Sequence, residues 1–389
     1  MGRVYKSLGE LGRIITGKTP KTDIADYWGG HVPFITPTDI NGYDSFFQGE
    51  TERYISAEGV KKQKATLLPP KSVCFSCIAS IGKSCLTRVC SITNQQINSI
   101  IPNKENDYRY LLYLLRYNLP YIQMVGGGSG SGTPIINKNK FAKFKFLVEG
   151  NLEAQHRIAS ILSTYDSLIE NNTKRIRLLE KMAENLYKEW FVRFRFPGHE
   201  NVEMENGLPK GWKRGSLSDV CEFKRGKNIT SSEMQEGNVP VISAGLEPSG
   251  YHSCSNVRGV NVTMSSSGAN AGYIAIHYSD IWAADCSYIE ESTTGNIYYV
   301  YELLNNIRTV INNFQRGAAQ PHVYPKDVNR IKLILPSKEL MLKANGRLEI
   351  MHKEIYNLQK QNSLLARQRD LLLPRLMSGK LEVKEELLE

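Results

Sequence analysis

The feature that most constrains this chain is the run from Asn151 to Phe194, which carries apolar residues at the period of a helix seam. Ile158, Leu162, Tyr165, Ile169, Asn172, Ile176, Leu179, Ala183, Leu186 and Trp190 follow one another three or four residues apart. Their mean spacing of about 3.5 is that of a helix supercoiled on a partner. No Gly or Pro interrupts the run before Pro197 and Gly198, which should end it. Such a helix would be roughly 60 Å long and cannot cover its own seam. A matching seam recurs 186 residues later, as Ala344, Leu348, Met351, Ile355, Leu358, Asn362, Leu365, Arg369, Leu372 and Leu376, with Pro374 expected to bend or fray the last turn. If the two helices pair antiparallel about their midpoints, Asn172 faces Asn362. A buried Asn pair would fix register and orientation at some cost in stability; solvation of both at the seam edge is the plainer alternative.

The rest of the chain is also doubled. Tyr5-Lys6-Ser7-Leu8 is answered by Trp212-Lys213-Arg214-Gly215, and His31-Val32-Pro33-Phe34-Ile35 by Asn238-Val239-Pro240-Val241-Ile242. Ala79-Ser80-Ile81-Gly82-Lys83 reads against Ser266-Ser267-Gly268-Ala269-Asn270, and Tyr110 to Leu115 against Tyr299 to Leu304. Gly132-Thr133-Pro134-Ile135 matches Ala319-Gln320-Pro321-His322. Each copy then runs through a strand, Phe144 to Leu147 or Ile331 to Ile334, into its long helix. Within a copy, short apolar or alternating runs sit between Gly, Pro, Asn and Asp. Val32–Ile35, Ser72–Ala79 and Lys143–Val148 read as strands and Arg109–Leu119 as a helix. The fold class is therefore α+β, without a readable strand order. Residues 1–150 form one globular copy, 151–196 the central helix, 197–336 the second copy behind the polar linker Pro197–Gly211, and 337–389 the distal helix and tail. The expected molecule is two related domains on an antiparallel two-helix rod with a pseudo-twofold axis.

A net charge of +10 favours a polyanionic partner. No stretch of about 18 apolar residues predicts a membrane span, and the N-terminus lacks a signal-peptide core. Seven Cys in a chain without secretory features fit reduced thiols in a cytosol.

Gly12-Arg13-Ile14-Ile15-Thr16-Gly17-Lys18-Thr19 satisfies the P-loop pattern, but a real P-loop lies between a buried strand and a helix N-terminus. Pro20, Asp23, Asp26, Gly29 and Gly30 leave no room for that helix. The second copy keeps only Gly226-Lys227. A Gly-Lys loop in both copies reads better as a DNA-phosphate contact, or as a plain turn. Cys74 and Cys77 have zinc spacing, while Cys85 and Cys90 do not. VCFSCIA is an apolar strand in which Cys serves as a small hydrophobe. The glycine run Gly126–Gly132 follows a helix and precedes a strand, the reverse of a dinucleotide loop. There is no Asn-Pro-Pro-aromatic segment, no His-Glu-x-x-His, and no Pro-Asp before Glu382-Val383-Lys384, which reads as a charged tail. No catalytic residue and no metal site are assigned, and the seven His show no ligand spacing.

At this point the residues resemble the specificity subunits of Type I restriction–modification systems. Met182-Ala183-Glu184-Asn185-Leu186-Tyr187-Lys188-Glu189-Trp190-Phe191-Val192-Arg193-Phe194 is similar to the end of that family's central conserved helix. Leu152 to Ile158 resembles the start of that helix, and Leu208-Pro209-Lys210-Gly211-Trp212 the opening of the second target recognition domain. Leu371 to Leu381 resembles the end of the distal helix. The match departs at Glu149-Gly150, where prolines are frequent, and at Lys338-Glu339-Leu340-Met341, which lacks a Glu-x-Gln opening. The resemblance implies two target recognition domains joined by an antiparallel coiled coil. It implies two docked methyltransferase subunits that use S-adenosylmethionine to methylate adenine. Motor-nuclease subunits that use ATP and Mg would complete the complex, in a bacterial or archaeal cytoplasm. The chain itself would bind no cofactor and supply only recognition: each domain reads half of a split site on double-stranded DNA, and the rod sets the unread gap.

On that reading, Lys18, Lys21, Lys83, Lys138, Arg225, Lys227 and Arg316 are expected at phosphates. Thr36, Thr38, Gln95 and Gln96 in the first copy, and Ser243, Asn270, Gln320 and His322 in the second, are expected at base edges. For each residue the alternative is a solvated loop side chain. Two other readings are a coiled-coil scaffold that holds two protein-binding modules without touching DNA, favoured if duplex binding is flat against salt, and a nucleotide hydrolase, tested by ATP binding before and after Lys18→Ala.

Overall fold

The structure, a computed structural model, describes residues 2–40, 46, 50–126, 134–317 and 320–383. The chain forms two compact units, residues 1–172 with 361–389, and residues 173–360. Among the described residues no helix is long and apolar enough to cross a membrane.

Unit 1 runs β1 (Val4–Ser7), α1 (Leu8–Leu11), β2 (Gly12–Thr16), β3 (Trp28–Ile35), β4 (Arg53–Ile55), α2 (Ala57–Lys62), β5 (Val73–Ser76), β6 (Ser84–Leu86), β7 (Ile92–Thr93) and β8 (Ile97–Pro102). Helices α3 (Tyr108–Tyr117), α4 (Leu119–Gly126) and α5 (Lys138–Lys143) follow, then β9 (Lys145–Val148) and the first half of α6 (Leu152–Tyr187). Antiparallel strands make a sheet in the order β2-β8-β5-β6, and β4-β3-β7 make a second sheet in which β3 and β7 are parallel. An antiparallel ribbon pairs β1 with β9, Val4 facing Val148. Helix α3 starts because the Asp107 carboxylate accepts from the Arg109 and Tyr110 amides. Its run Tyr110–Leu115 is wholly buried against Val73, Phe75 and Leu86. The helix expected over Arg109–Leu119 is two helices, separated at Asn118. Pro120 has no amide hydrogen to carry the first helix onward, yet it suits the opening turn of the second.

Unit 2 repeats this plan. A short hairpin, β10 (Met204–Glu205) and β11 (Leu208–Pro209), precedes β12 (Lys213–Ser216), β13 (Lys224–Arg225), β14 (Val239–Ile242), β15 (Gly250–His252), β16 (Asn261–Ser265), β17 (Ile274–His277), β18 (Trp282–Ala283) and β19 (Cys286–Glu290). Then come α7 (Glu291–Thr294), α8 (Ile297–Asn306), α9 (Arg308–Asn312), α10 (Pro325–Val328), β20 (Lys332–Leu335) and α11 (Lys338–Ser378). The sheets are β13-β19-β16-β17 and β15-β14-β18, with a β12–β20 ribbon. In these sheets the strand order is that of unit 1, down to the parallel pair, here β14 with β18.

Every residue of both sequence seams is buried or half-buried. Within unit 1, Asp166 meets Arg369 and Asn172 meets Gln361; within unit 2, Arg175 meets Glu354 at 2.8 Å and Trp190 lies under Arg347. Numbers rise along α6 as they fall along α11, so the pairing in each unit is antiparallel. Asn172 is 5% exposed and its amide donates to Gln361 Oε1 at 3.0 Å, so the recorded partner is the neighbour of the expected Asn362. Two termini differ from expectation. Helix α6 passes through a π-helical turn, Lys188–Val192, and stops at Phe194, whose φ of 58° is left-handed, ahead of Pro197. Helix α11 continues past Pro374 to Ser378, because the missing bond would serve the carbonyl of exposed Asp370, which solvent can satisfy.

The P-loop pattern is realised as edge strand β2, and the next helical turn is a single 3-10 turn at Ala25–Tyr27. What the repeated Gly-Lys records is close packing. A Cβ on Gly17 would lie 2.2 Å from the carbonyl oxygens of Thr93 and Asn94, and one on Gly226 2.4 Å from that of Ala284. Gly17→Ala or Gly226→Ala should therefore cost about 1–3 kcal/mol by forcing backbone apart. Thermal denaturation checks this, and an unchanged midpoint would refute it. Cys74 and Cys77 are fully buried in and beside β5, and burial pushes the Cys77 thiol up to about 12, which suits packing and not metal ligation.

Candidate nucleic-acid interface

In unit 1, loops distant in sequence converge at one end of the two sheets. The backbone directs this: Gly17 N donates to Ile97 O at 3.1 Å, Asn94 N to Ile35 O at 3.1 Å, and Cys77 N to Gln96 O at 2.7 Å. Side chains complete it. Thr19 Oγ1 donates to Gln95 Oε1 at 2.7 Å, Thr36 and Thr38 share a hydroxyl bond of 2.7 Å, and Lys83 Nζ donates to Pro37 O at 3.0 Å. Asn94 Nδ2 holds Gln96 Oε1 at 2.8 Å. Lys18, Thr36, Thr38, Lys83, Gln95 and Gln96 are thus gathered on neighbouring loops. Lys18, Lys21 and Lys138 are exposed, with Lys138 at the start of α5. The stretch 127–133 of the expected glycine loop, the matched residue Ala319, and Lys384 of the charged tail lie outside the described residues.

Unit 2 assembles the equivalent loops. Gly226 N donates to Cys286 O at 2.8 Å, and Ala284 N to Ile242 O at 2.8 Å. Arg225 pairs with Asp285 at 3.0 Å, and the same carboxylate accepts from Ser267 Oγ. Ser243 bonds Ser249 at 2.9 Å, and the Ala244 carbonyl accepts from Ser265 Oγ at 3.0 Å and, more distantly, from Asn270 Nδ2 at 3.5 Å. Arg316 and His322 exchange backbone bonds of 2.9 and 2.8 Å, and exposed Gln320 lies beside them. Three expected phosphate cations are already engaged by the protein: Lys83 on Pro37 O, Arg225 on Asp285, and Arg316 on Asp327 at 2.9 Å. Lys18, Lys21, Lys138 and Lys227 are exposed.

The loop correspondence shifts from the one read in the sequence. Ala79 N donates to Pro134 O and Gly268 N to Pro321 O, and both residues have left-handed φ, 58° and 73°. Ala79 therefore matches Gly268 and not Ser266. The next left-handed glycines, Gly82 and Gly272, put Tyr273, not Asn270, at the place of Lys83. Sequence reasoning also missed Asp285. It stands alone where unit 1 has Gln95-Gln96, because the turn after β18 is one residue shorter than the turn after β7. Among the described residues no group of three or more His, Cys, Asp or Glu could hold a metal ion.

The arrangement offers two similar loop clusters of hydroxyls, amides and exposed cations, suited to contacting a polyanion and to hydrogen bonding in a groove. The family described as Type I restriction modification DNA specificity domain matches residues 3–181 and 209–362. A similar protein is the Type I restriction enzyme MjaIX specificity subunit of Methanocaldococcus jannaschii, 28% identical over 98% of this chain and 94% of its own length. The HindI specificity subunit of Haemophilus influenzae is 32% identical over 46% of this chain and 39% of its own length. The crystal structure of the Type I restriction–modification S subunit from M. genitalium shares the fold, with a TM-score of 0.63 at 18% identity over 97% of this chain and 96% of that one.

Proposed function

This chain belongs to the Type I restriction–modification DNA specificity family, and we propose that each of its units reads one half of a bipartite site on double-stranded DNA. The chain is a DNA-specificity subunit, and in this reading it carries no catalysis of its own. The observation that supports the reading is the duplicated loop cluster, the same three strand ends converging in unit 1 and again in unit 2 with different side chains on them. Same frame and different chemistry is what two half-sites of different sequence require. The paired stretches of α6 and α11 would set the unread gap and dock two methyltransferase subunits, which would bring S-adenosylmethionine to an adenine. Motor-nuclease subunits would add ATP- and Mg-dependent cleavage. The setting is a bacterial or archaeal cytoplasm.

Mapping methylated adenines in host DNA with and without this chain tests the reading directly: a bipartite motif should vanish with the chain, and an unchanged map refutes it. A salt titration of duplex binding tests the phosphate contacts. Lys18→Gln and Lys227→Gln should each lower the slope of log K against log salt by about 0.9. Arg225→Gln should lower it less, because Arg225 starts from an ion pair with Asp285. Equal slopes for all three variants would count against these placements.

A further inference from the structure

The two loop clusters differ in one chemical respect. Gly17 N donates to Ile97 O and Gly226 N to Cys286 O, so Thr16 and Arg225 occupy the same place, each one residue before a close-packed glycine. In unit 1 this place is neutral: the Thr16 hydroxyl donates to Asn98 Oδ1 at 2.6 Å, across the β2–β8 pair. The neighbouring turn offers Gln95 and Gln96, whose side-chain oxygens accept from Thr19 and from Asn94. In unit 2 the two places hold a cation and an anion, Arg225 and Asp285, paired at 3.0 Å.

The pair is held in a fixed arrangement. Arg225 ends β13, and its backbone is in register with Ser287 of β19, two residues beyond Asp285. Ser267, 7% exposed, donates its hydroxyl to the second oxygen of the Asp285 carboxylate. Each carboxylate oxygen is thus bonded within the protein and still has an acceptor site to offer. The guanidinium spends one N–H group on Asp285 and has others to give. Side-chain exposures of 46% and 33% leave both groups open to a ligand. Unit 2 therefore presents an acceptor and a planar donor fork side by side.

In the major groove a carboxylate can accept only from adenine N6 or cytosine N4, and the neighbouring atoms decide between them. Beside cytosine N4 stand guanine O6 and N7, two acceptors that match a guanidinium fork. An adenine–thymine pair offers the fork single acceptors, adenine N7 on one side or thymine O4 beside its methyl group on the other. Building on the DNA reading above, we propose that Asp285 and Arg225 together read one cytosine–guanine pair in the half-site of unit 2. Asp285 accepts from cytosine N4, and Arg225 donates to guanine O6 and N7. Arg225 is then a base reader and not a phosphate contact, as its tether to Asp285 favours.

Duplex competition with the full chain, on the bipartite site given by the methylation map, checks this. Changing one cytosine–guanine pair of one half-site to thymine–adenine should weaken wild-type binding roughly tenfold to a hundredfold. For Asp285→Asn and Arg225→Ala the same change should cost no more than about threefold. At that pair 7-deazaguanine, which lacks the N7 acceptor, should weaken the wild type roughly tenfold and leave Arg225→Ala unaffected. Discrimination lost at an adenine–thymine pair, an unaltered penalty in the variants, or a uniform loss over all sequences would overturn the proposal. Should the variants not fold, the wild type decides: no loss with 7-deazaguanine at any guanine of either half-site overturns it. A site that is bipartite but shows none of these effects sinks this assignment alone, whereas a methylation map unchanged without the chain sinks the DNA reading beneath it.

Discussion

Replacing Asp166 with alanine is expected to destabilise unit 1 by about 3–5 kcal/mol, the usual cost of removing one partner from a buried ion cluster. The carboxylate pairs with both Arg116 and Arg369, whose side chains are 7% and 3% exposed. Without it, two buried guanidiniums lose the anion they share, and Arg369 keeps Asp370 at 2.8 Å. The Tyr113 hydroxyl, which donates to the same carboxylate, also loses its acceptor. Urea denaturation followed through hydrogen exchange on α3 measures the effect in unit 1 itself. A companion variant separates charge from packing. Asp166→Leu with Arg116→Met and Arg369→Leu should recover most of the loss, because apolar replacement of a whole buried cluster is often neutral. If Asp166→Ala leaves exchange on α3 unchanged, the cluster does not hold α3 to α6.

The second large effect concerns recognition. Gln95→Ala should relax discrimination at one base position of one half-site by about 1–3 kcal/mol and leave the other half-site untouched. Asp285→Ala should act in the same way on the opposite half, because Asp285 occupies the turn that Gln95 and Gln96 occupy in unit 1. It should also free Arg225, so that non-specific binding becomes tighter and more sensitive to salt. Competition with duplexes altered one base pair at a time reads both outcomes. A uniform loss over all sequences would assign these side chains to fold or backbone contact and not to reading.

How much of this was legible in the sequence depends on the range of the interaction. The seams of α6 and α11 were visible because helix period is local, and every seam residue is buried or half-buried, although Asn172 meets Gln361 in place of the expected Asn362. Nothing local marks Arg369 of that seam as half of an ion pair; only the structure supplies Asp166, which lies far away in the chain. The repeat was visible, yet its loops slipped by two residues at Ala79. Backbone conformation at Ala79 and Gly268 defines the match there, and Ala gives no sign of a left-handed φ. The contact of Thr19 with Gln95 is long-range and follows from strand order, which no local pattern encodes. Asp285 was hidden by a turn one residue shorter than its counterpart. The break between α3 and α4 was in plain view at Pro120, but the apolar run on either side masked it.

The ribbons β1–β9 and β12–β20 carry a consequence for how such chains can change. Val4 faces Val148, and Lys213 faces Leu335, so each globular part begins and ends at one place, zipped shut by four residue pairs. A segment whose two ends meet in this way can be exchanged for a foreign one at those ends, provided the newcomer repacks the core it shares with the helices, such as Ile158, Leu162 and Leu376. Inheritance can then trade reading heads as cassettes while the helices that receive them stay the same.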